Sequence, residues 1–288
     1  MDQEKPKLDK KILVFYHSGC MDGFSAAWVA HQKFGDNAEY IPATHNEMYD
    51  VKDKEIYMVD ISISDKEEDI KQLVQDNDVT FIDHHITRQN LVSLFKKSHF
   101  ALDKSGAVLT WEYFNPGKEV PLFLKHVQAQ DIWDWKLPST REIMTAVSVC
   151  EQTFEIWDKI VADIEKESER NKYIGKGKIM LDYFNRLCDE IIEDGKSLVQ
   201  FEGHQVYAVN VPHIFASVIG NNLALYKNSF GIIWFQDNNQ IRVSLRSIKD
   251  FDISVIAKKY GGGGHKNAAG FKLPLGTELP WKIIQDNK

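Results

Sequence analysis

The 288-residue chain has little cysteine and no long apolar stretch. Its three cysteines, Cys20, Cys150 and Cys188, are widely spaced and form no CxxC pair, which argues against a disulfide framework and against a structural zinc site. No apolar run approaches the roughly 20 residues that span a bilayer, and residues 1–11 are charged rather than apolar. We therefore expect a cytoplasmic protein that does not bind membranes.

Low-complexity tracts are also absent, and the length suits two domains that each bury a core. The net charge of -7 is unevenly distributed: residues 1–195 carry 24 basic and 36 acidic side chains, whereas residues 196–288 carry 11 and 6. Bound cations can neutralise an acidic half, and a basic half offers a place for phosphates. The basic excess is too small to favour long duplex DNA, which usually needs an extended basic face.

Three short apolar runs, residues 11–16, 55–59 and 79–82, are each followed by side chains that can bind a metal ion. These side chains are His17 and Asp22 after the first run, Asp60 after the second, and Asp83, His84 and His85 after the third. Helix-like stretches separate the runs, which predicts an α/β fold with a mostly parallel sheet flanked by helices. Such sheets bind ligands at the carboxyl ends of their strands, so these residues should converge.

The types of these side chains indicate a transition metal. Carboxylates combined with neutral imidazoles suit manganese, iron or zinc better than magnesium or calcium, which favour shells of oxygen alone. A single carboxylate such as Asp60 could instead cap a turn over residues 61–64. Three strand ends that converge with histidines favour the metal centre over that alternative.

A charged helical stretch separates this region from the C-terminal part of the chain. Residues 154–198 are rich in Lys and Glu and have the pattern of an exposed connector. Beyond it, predicted strands near 205–209, 230–235 and 240–245 alternate with predicted helices near 214–225 and 253–260, which indicates a smaller C-terminal α/β domain. The predicted division is a catalytic domain over 1–155, a helical connector over 156–198 and a substrate-binding domain over 199–288.

Two motifs in the C-terminal part suit a phosphate group. Residues 243–247 read VSLRS, and residues 261–270 read GGGGHKNAAG. The first glycine of the run is suited to ending the preceding helix, and the next three allow a phosphate or nucleotide to approach main-chain amides. Side-chain donors nearby could hold a terminal phosphate. The predicted substrate-binding residues are Arg246, Ser247, Gly262, Gly263, Gly264 and His265.

With these motifs in this order, the chain resembles the DHH phosphoesterase superfamily with a DHH-associated domain at its C-terminus. The matching segments extend from residue 11 to residue 273 and so cover nearly the whole chain. The resemblance implies two divalent metal ions, with manganese as the expected ion. His17 and Asp60 would hold one ion, and Asp22, Asp60, His84 and Asp131 would hold the second. Asp134, three residues after Asp131, could exchange roles with it.

The resemblance also implies roles for the residues around the metals. His85 would contact the scissile phosphate. Asp83 would bind neither metal itself but would orient its neighbours. Arg88 would contact the leaving side of the substrate, with an ordinary surface position as the alternative. The metals would activate a water that attacks phosphorus in line, so that no side-chain nucleophile is needed.

One residue departs from the family pattern. Cys20 stands where the family usually has an aspartate, two residues before Asp22. Its thiolate could bind a softer metal such as zinc or iron(II), or the side chain could line the loop while water fills the coordination position. We favour the second interpretation from the sequence.

The function that the resemblance implies is hydrolysis of short single-stranded oligonucleotides, or of linear or cyclic dinucleotides, to mononucleotides. One alternative is a phosphatase that acts on polyphosphate or on a nucleotide monoester. Another is a nucleotide-binding protein with weak catalysis, which the cysteine at position 20 motivates. Four tryptophans, Trp28, Trp111, Trp133 and Trp135, could stack on bases, but we expect them to pack in the core. The sequence leaves a homodimer open.

Overall fold

A computed structural model describes residues 8–44 and 47–284 of the protein. The chain forms two compact units, Met1–Met180 and Leu181–Lys288. The predicted three-part division, with limits at residues 155 and 198, stays a prediction. Within the described residues, no helix is both long and apolar enough to cross a bilayer.

The first unit is built on a five-stranded parallel sheet. Its strands are β1 (Ile12–His17), β2 (Ala38–Ala43), β3 (Glu55–Val59), β4 (Asp78–Asp83) and β5 (Lys97–Phe100). They lie in the order β2-β1-β3-β4-β5, and each neighbouring pair is parallel. The central strands are apolar runs because helices cover both faces of a sheet of this kind. The predicted α/β fold with a mostly parallel sheet is confirmed.

Six helices of this unit follow the strands or extend beyond them. They are α1 (Met21–Phe34), α2 (Glu67–Asp76), α3 (Gly106–Phe114), α4 (Leu122–Asp131), α5 (Thr140–Val147) and α6 (Phe154–Glu165). Alternate residues of β1 enter two different cores: Val14 belongs to the one with α1 and α3, and Phe15 to the one with α2. A further helix, α7 (Glu167–Gly195), contains the boundary between the units.

The second unit contains a seven-stranded mixed sheet. Its strands are β6 (Ser197–Phe201), β7 (His204–Asn210), β8 (Phe230–Gln236), β9 (Gln240–Ser247), β10 (Gly263–His265), β11 (Ala268–Pro274) and β12 (Lys282–Ile283). Their order is β10-β11-β9-β8-β7-β6-β12, with only the β7–β8 pair parallel among these strands. Two helices, α8 (Ala216–Lys227) and α9 (Ser254–Lys259), accompany the sheet.

The sequence underestimated the β content of this second unit. The GGGGHKNAAG segment supplies β10 and β11, which pair antiparallel from Gly263 opposite Gly270 to His265 opposite Ala268. The sequence predicts only that these glycines let a phosphate approach main-chain amides, not that the segment forms strands. Glycine-rich stretches carry little strand propensity, so their pairing depends on the neighbouring strand β9 and is invisible locally.

The prediction that the tryptophans pack in the core is wrong for one of them. Trp28 is 4% exposed, as expected, but Trp133 is 68% exposed. Trp133 also has a positive φ of 59°, which turns the chain sharply just after α4. The sequence does not predict this turn, because neither glycine nor asparagine, the residues that most often adopt a positive φ, stands at this position.

Candidate functional site

The carboxyl ends of three adjacent strands form the candidate site of the first unit. β1 ends at His17, Asp60 follows β3, and β4 ends at Asp83. The strands β1, β3 and β4 are neighbours in the sheet and run parallel. Their polar ends therefore lie at one edge, as the apolar runs predict.

At this edge, side chains of the described residues form three groups that could each hold a metal ion, two of which have no residue in common. One of these two groups is His17, Cys20 and Asp60, and the other is Asp22, His84 and Asp131; the third, Asp60, Asp83, His84 and His85, overlaps both. Within each group, one donor atom per residue lies within 4.8 Å of the others. The structure thus brings together all five residues that were predicted to bind metal.

Asp60 belongs to the first group and also contacts the second. Its Oδ2 is 3.5 Å from Nδ1 of His17, and its Oδ1 is 3.2 Å from Nε2 of His84. The same His84 nitrogen is 3.4 Å from Oδ2 of Asp131 and 3.8 Å from Oδ2 of Asp22. A carboxylate in this position can bridge two cations, which is the arrangement that the family resemblance implies.

The backbone of Asp60 is strained. Its φ is 60°, in the left-handed region that few residues other than glycine adopt, and its side chain is almost completely buried. Such strain persists only where the surroundings determine the conformation, and it concentrates at functional sites. The conformation directs the carboxylate away from the strand direction and into the site.

The charges at this site are unbalanced without a cation. Burial, together with the charges of Asp60 and Asp131, raises the pKa of Asp22. Burial also opposes ionisation of Asp60, but its contacts with His17 and His84 outweigh burial and lower its pKa to about 2. At His84, burial is outweighed by the contact with Asp60 and by the charges of Asp22 and Asp131, which raise its pKa to about 9. Several buried acids thus compete for few positive groups.

The site fits a divalent metal ion chemically. Asp60 and His84 contact each other at 3.2 Å, but neither carboxylate oxygen of Asp60 nor Nε2 of His84 forms a hydrogen bond of regular geometry with the residues that the structure describes. Buried polar atoms are rarely left in this state without a ligand. The combination of carboxylate oxygens and imidazole nitrogens suits manganese, iron or zinc. Asp134, the alternative to Asp131, instead forms an ion pair with Lys136.

Asp83 contacts both histidines that follow it in sequence, His84 and His85. Its Oδ1 accepts hydrogen bonds from the backbone N–H of His84 at 2.7 Å and of His85 at 3.2 Å, and lies 2.7 Å from Nδ1 of His85. The hydrogen bond to Asp83 raises the pKa of His85. The geometry agrees with an orienting role for Asp83, while the predicted contact of His85 with phosphate stays a prediction.

Arg88 lies in the 3₁₀ segment Ile86–Leu94 and its side chain is mostly buried. Its Nη2 forms a 2.7 Å ion pair with Oδ1 of Asp65. The arginine is therefore not an ordinary solvated surface residue. Its predicted contact with the leaving side of the substrate stays a prediction.

In the second unit, Arg246 and Ser247 differ in how they are placed. Arg246 is half-buried on β9, where its guanidinium donates to the carbonyl of Leu245 at 3.0 Å and to Oγ of Ser217 at 3.4 Å. Ser247 is 3% exposed, and its hydroxyl donates to the carbonyl of Phe251 at 2.7 Å. These contacts give Ser247 a packing role, and its predicted contact with substrate stays a prediction.

The predicted glycines also have separate roles. A Cβ on Gly262 would lie 2.1 Å from the carbonyl oxygen of Gly270, and one on Gly264 would lie 2.5 Å from that of Ala268. Both glycines are therefore required for the close approach to β11. Gly263 has open space around it, and His265 is exposed. Gly263 and His265 are therefore accessible to a ligand, and the contact of all four residues with substrate stays a prediction.

A cavity of about 430 Å³ lies beside this motif. Its lining combines residues of the two motifs, Gly262 among them, with apolar side chains and with three residues that the sequence did not identify, His213, Arg242 and Lys272. Alternation along β9 puts Arg242, Ser244 and Arg246 on the same face. That period-two pattern is the signal from which Arg242 could have been found.

Comparisons with known proteins agree with this picture. Residues 208–281 match the DHHA1 domain family. The uncharacterised protein R106 of Acanthamoeba polyphaga mimivirus is 33% identical over 310 residues, which cover 96% of this chain and 71% of R106. The chain belongs to the DHH superfamily of phosphoesterases.

Solved structures share the DHH fold. The DHH domain of a member of the s1p family of ribosomal proteins aligns with a TM-score of 0.63 and 14% identity, covering 93% of this chain and 84% of that one. The pGpG-specific phosphodiesterase PggH from Vibrio cholerae aligns with a TM-score of 0.50 and 13% identity, covering 92% and 94%. At these identities, the comparisons establish the fold.

Two glycines of the first unit, which the sequence did not identify, lie against site residues. A Cβ on Gly106 would lie 2.5 Å from Cβ of Asp60, and one on Gly23 would lie 2.4 Å from the carbonyl oxygen of His17. The backbone N–H groups of Gly106 and Ala107 also donate to the carboxylate of Asp22 at 2.6 and 3.0 Å. The N-terminus of α3 thus supports the site, and a serine before a helical run is its only local signal.

Proposed function

We propose that this protein is a metal-dependent phosphodiesterase that hydrolyses short single-stranded oligonucleotides, or linear or cyclic dinucleotides, to mononucleotides. The observation that carries the proposal is the pair of ligand groups that share Asp60 at the carboxyl edge of the sheet. Membership of the DHH superfamily supports phosphoesterase activity. That PggH is a pGpG-specific phosphodiesterase supports a dinucleotide as one substrate class.

In this proposal, one ion is held by His17 and Asp60, and the other by Asp22, Asp60, His84 and Asp131. Two such cations would acidify water and neutralise charge that develops on the phosphate. Manganese is the expected ion of the second group, which contains only oxygen and nitrogen donors.

The remaining residues act on the substrate. His85 directs one ring nitrogen to Asp83, which fixes the ring so that its other edge can contact the scissile phosphate. Arg88 would contact the leaving side of the substrate. Arg246, Gly263 and His265 would hold the terminal phosphate through charge-assisted and main-chain hydrogen bonds.

The substrate class can be tested by product analysis. Metal-stripped protein is incubated with and without manganese against a dinucleotide, a short oligoribonucleotide, polyphosphate and a nucleotide monoester, and the products are separated by chromatography. Mononucleotides that appear only with metal support the phosphodiesterase. Orthophosphate alone supports the alternative phosphatase, and no product with manganese, iron, zinc or cobalt supports a nucleotide-binding protein with weak catalysis.

Arg246→Ala is expected to raise the KM for a dinucleotide about 10-fold or more, because hydrogen bonds to charged groups contribute about 1.5–3 kcal/mol. The turnover number should change little, since the arginine is remote in sequence from the metal ligands and would bind a terminal phosphate. Steady-state kinetics with a dinucleotide measure both constants. Arg186→Ala is the control, because Arg186 is exposed and pairs only with Glu190 among the described residues. Unchanged KM in the Arg246 variant would reject its role.

Trp133→Ala is expected to raise the KM for a dinucleotide by about 10-fold, because stacking on a base contributes about 1–3 kcal/mol. Trp133 lies two residues beyond Asp131 and is exposed, with its ring centroid 5.7 Å from that of Trp135. The KM for a substrate without a base should not change. Kinetics with Tyr183→Ala, which also removes an exposed aromatic ring, control for nonspecific effects. An equal effect on polyphosphate would contradict base stacking.

A further inference from the structure

Cys20 lies within the first ligand group and not in the hydrophobic core. One donor atom from each of His17, Cys20 and Asp60 lies within 4.8 Å of the other two. Asp60 is 1% exposed, and its two oxygens lie 3.5 Å from Nδ1 of His17 and 3.2 Å from Nε2 of His84 without forming hydrogen bonds of regular geometry. This buried carboxylate, the imidazole of His17 and the sulfur of Cys20 therefore face the same space.

We propose that Cys20 is a thiolate ligand of the first metal ion and makes that site selective for a thiophilic divalent ion such as zinc. The inference rests on the proposed metal-dependent function and specifies the ion of one site. On binding, the S–H bond breaks, a bond forms between sulfur and the metal, and the proton passes to solvent. This assignment replaces the interpretation favoured from the sequence, in which water occupied the position.

The donor types distinguish the two groups. The first group supplies sulfur, nitrogen and oxygen, whereas the group of Asp22, His84 and Asp131 supplies only nitrogen and oxygen. Thiolate donors favour zinc, and carboxylate-rich sets accept manganese. The two sites would therefore prefer different ions, although they share Asp60.

The backbone N–H groups of Asp22 and Gly23 contact the thiol of Cys20, but this position does not require a cysteine. Cys20 is the N-cap residue of α1, where Ser, Thr, Asn or Asp would stabilise the helix better. The other two cysteines have ordinary environments: Sγ of Cys150 donates to the carbonyl of Ala146, and Cys188 is fully buried in an apolar cluster. Within the described residues, Cys20 is the cysteine that belongs to a candidate metal group.

Cobalt(II) provides the test, because a cobalt–thiolate bond produces a charge-transfer band in the near ultraviolet. Full-length metal-stripped protein is titrated with cobalt, and the band and the number of bound ions are measured for the natural protein, Cys20→Ser, Cys20→Asp and Cys150→Ser. Circular dichroism confirms that each variant is folded. Zinc and manganese are then added in separate competitions.

We expect the band in the natural protein and in Cys150→Ser, and its loss in both Cys20 variants, while cobalt still binds to the second group. Stoichiometric zinc should abolish the band, and a large excess of manganese should not. In Cys20→Asp, the preference of the first site for zinc over manganese should fall at least about 10-fold, which corresponds to 1.4 kcal/mol.

A band that persists in Cys20→Ser would overturn the assignment, as would cobalt binding to the natural protein without a band, or no cobalt binding at all. The band does not depend on turnover. If the band appears but no phosphate ester is hydrolysed with any metal, the thiolate assignment stands and the proposed phosphodiesterase fails. If hydrolysis occurs without the band, the proposed phosphodiesterase stands and the thiolate assignment fails.

Discussion

Asp60→Asn is expected to lower metal-dependent hydrolysis by about 10³-fold or more, because metal-ion catalysis contributes several kcal/mol and each 1.36 kcal/mol is a factor of ten. Asp60 contacts both ligand groups, so the loss of its charge should weaken both ion sites together. Asparagine suits the test better than alanine, because it preserves the shape of the side chain and tolerates the left-handed backbone at φ 60°.

Turnover of a dinucleotide and the metal-induced rise in melting temperature measure the two consequences of this change. Bound metal stabilises the folded state by mass action, so the rise in melting temperature should largely disappear in the Asp60→Asn variant. Asp134→Asn is the matched control, since Asp134 carries the same charge near the site but pairs with Lys136. A folded Asp60→Asn protein that keeps both turnover and the metal-induced rise would contradict the shared carboxylate.

Gly106→Ala is expected to lower kcat/KM by about 10²-fold, because a misplacement of about 1 Å at a catalytic site can cost that much. The new Cβ would lie 2.5 Å from Cβ of Asp60 and 2.8 Å from its Oδ1, so the start of α3 or Asp60 must move. Movement of α3 would also break the hydrogen bonds from Gly106 and Ala107 to Asp22.

Gly175→Ala is the matched control for this change. Gly175 is exposed on α7, and an added Cβ would meet nothing within 4 Å. Alanine there should stabilise the helix by up to about 1 kcal/mol and leave kinetics unchanged. The measurements are kcat/KM and the number of metal ions bound. Equal kinetics for Gly106→Ala and the natural protein would show that α3 does not position the carboxylates.

The parallel sheet of the first unit could be predicted from the sequence because the signals that indicate its strands are local. Apolar runs that end in His17, Asp60 and Asp83 predict both the strands and the edge at which they converge. Asp131 was different: it lies at the end of α4, and only the family resemblance distinguished it from Asp134. The structure places Asp131 beside His84, at 3.4 Å.

Features that depend on distant parts of the chain could not be predicted in this way. Gly106 supports Asp22 across 84 residues of sequence, and no local pattern expresses such a contact. Ser247 resembles a phosphate-binding hydroxyl in sequence, yet in the fold it bonds to Phe251. Gly262 and Gly264 are predicted to admit a phosphate, and the fold adds a second reason for glycine there, the close approach to β11. Tertiary packing decided each of these cases.

The most direct test of the account measures metal occupancy and hydrolysis in the same samples. Manganese is added stepwise to metal-stripped protein, alone and after one equivalent of zinc, ions bound per chain are determined by equilibrium dialysis, and mononucleotide release from a dinucleotide is followed by chromatography. We predict no release without metal, and release that rises as the two groups around Asp60 fill. Hydrolysis by protein without bound metal, or full occupancy with no mononucleotide formed under any added divalent ion, would contradict the account.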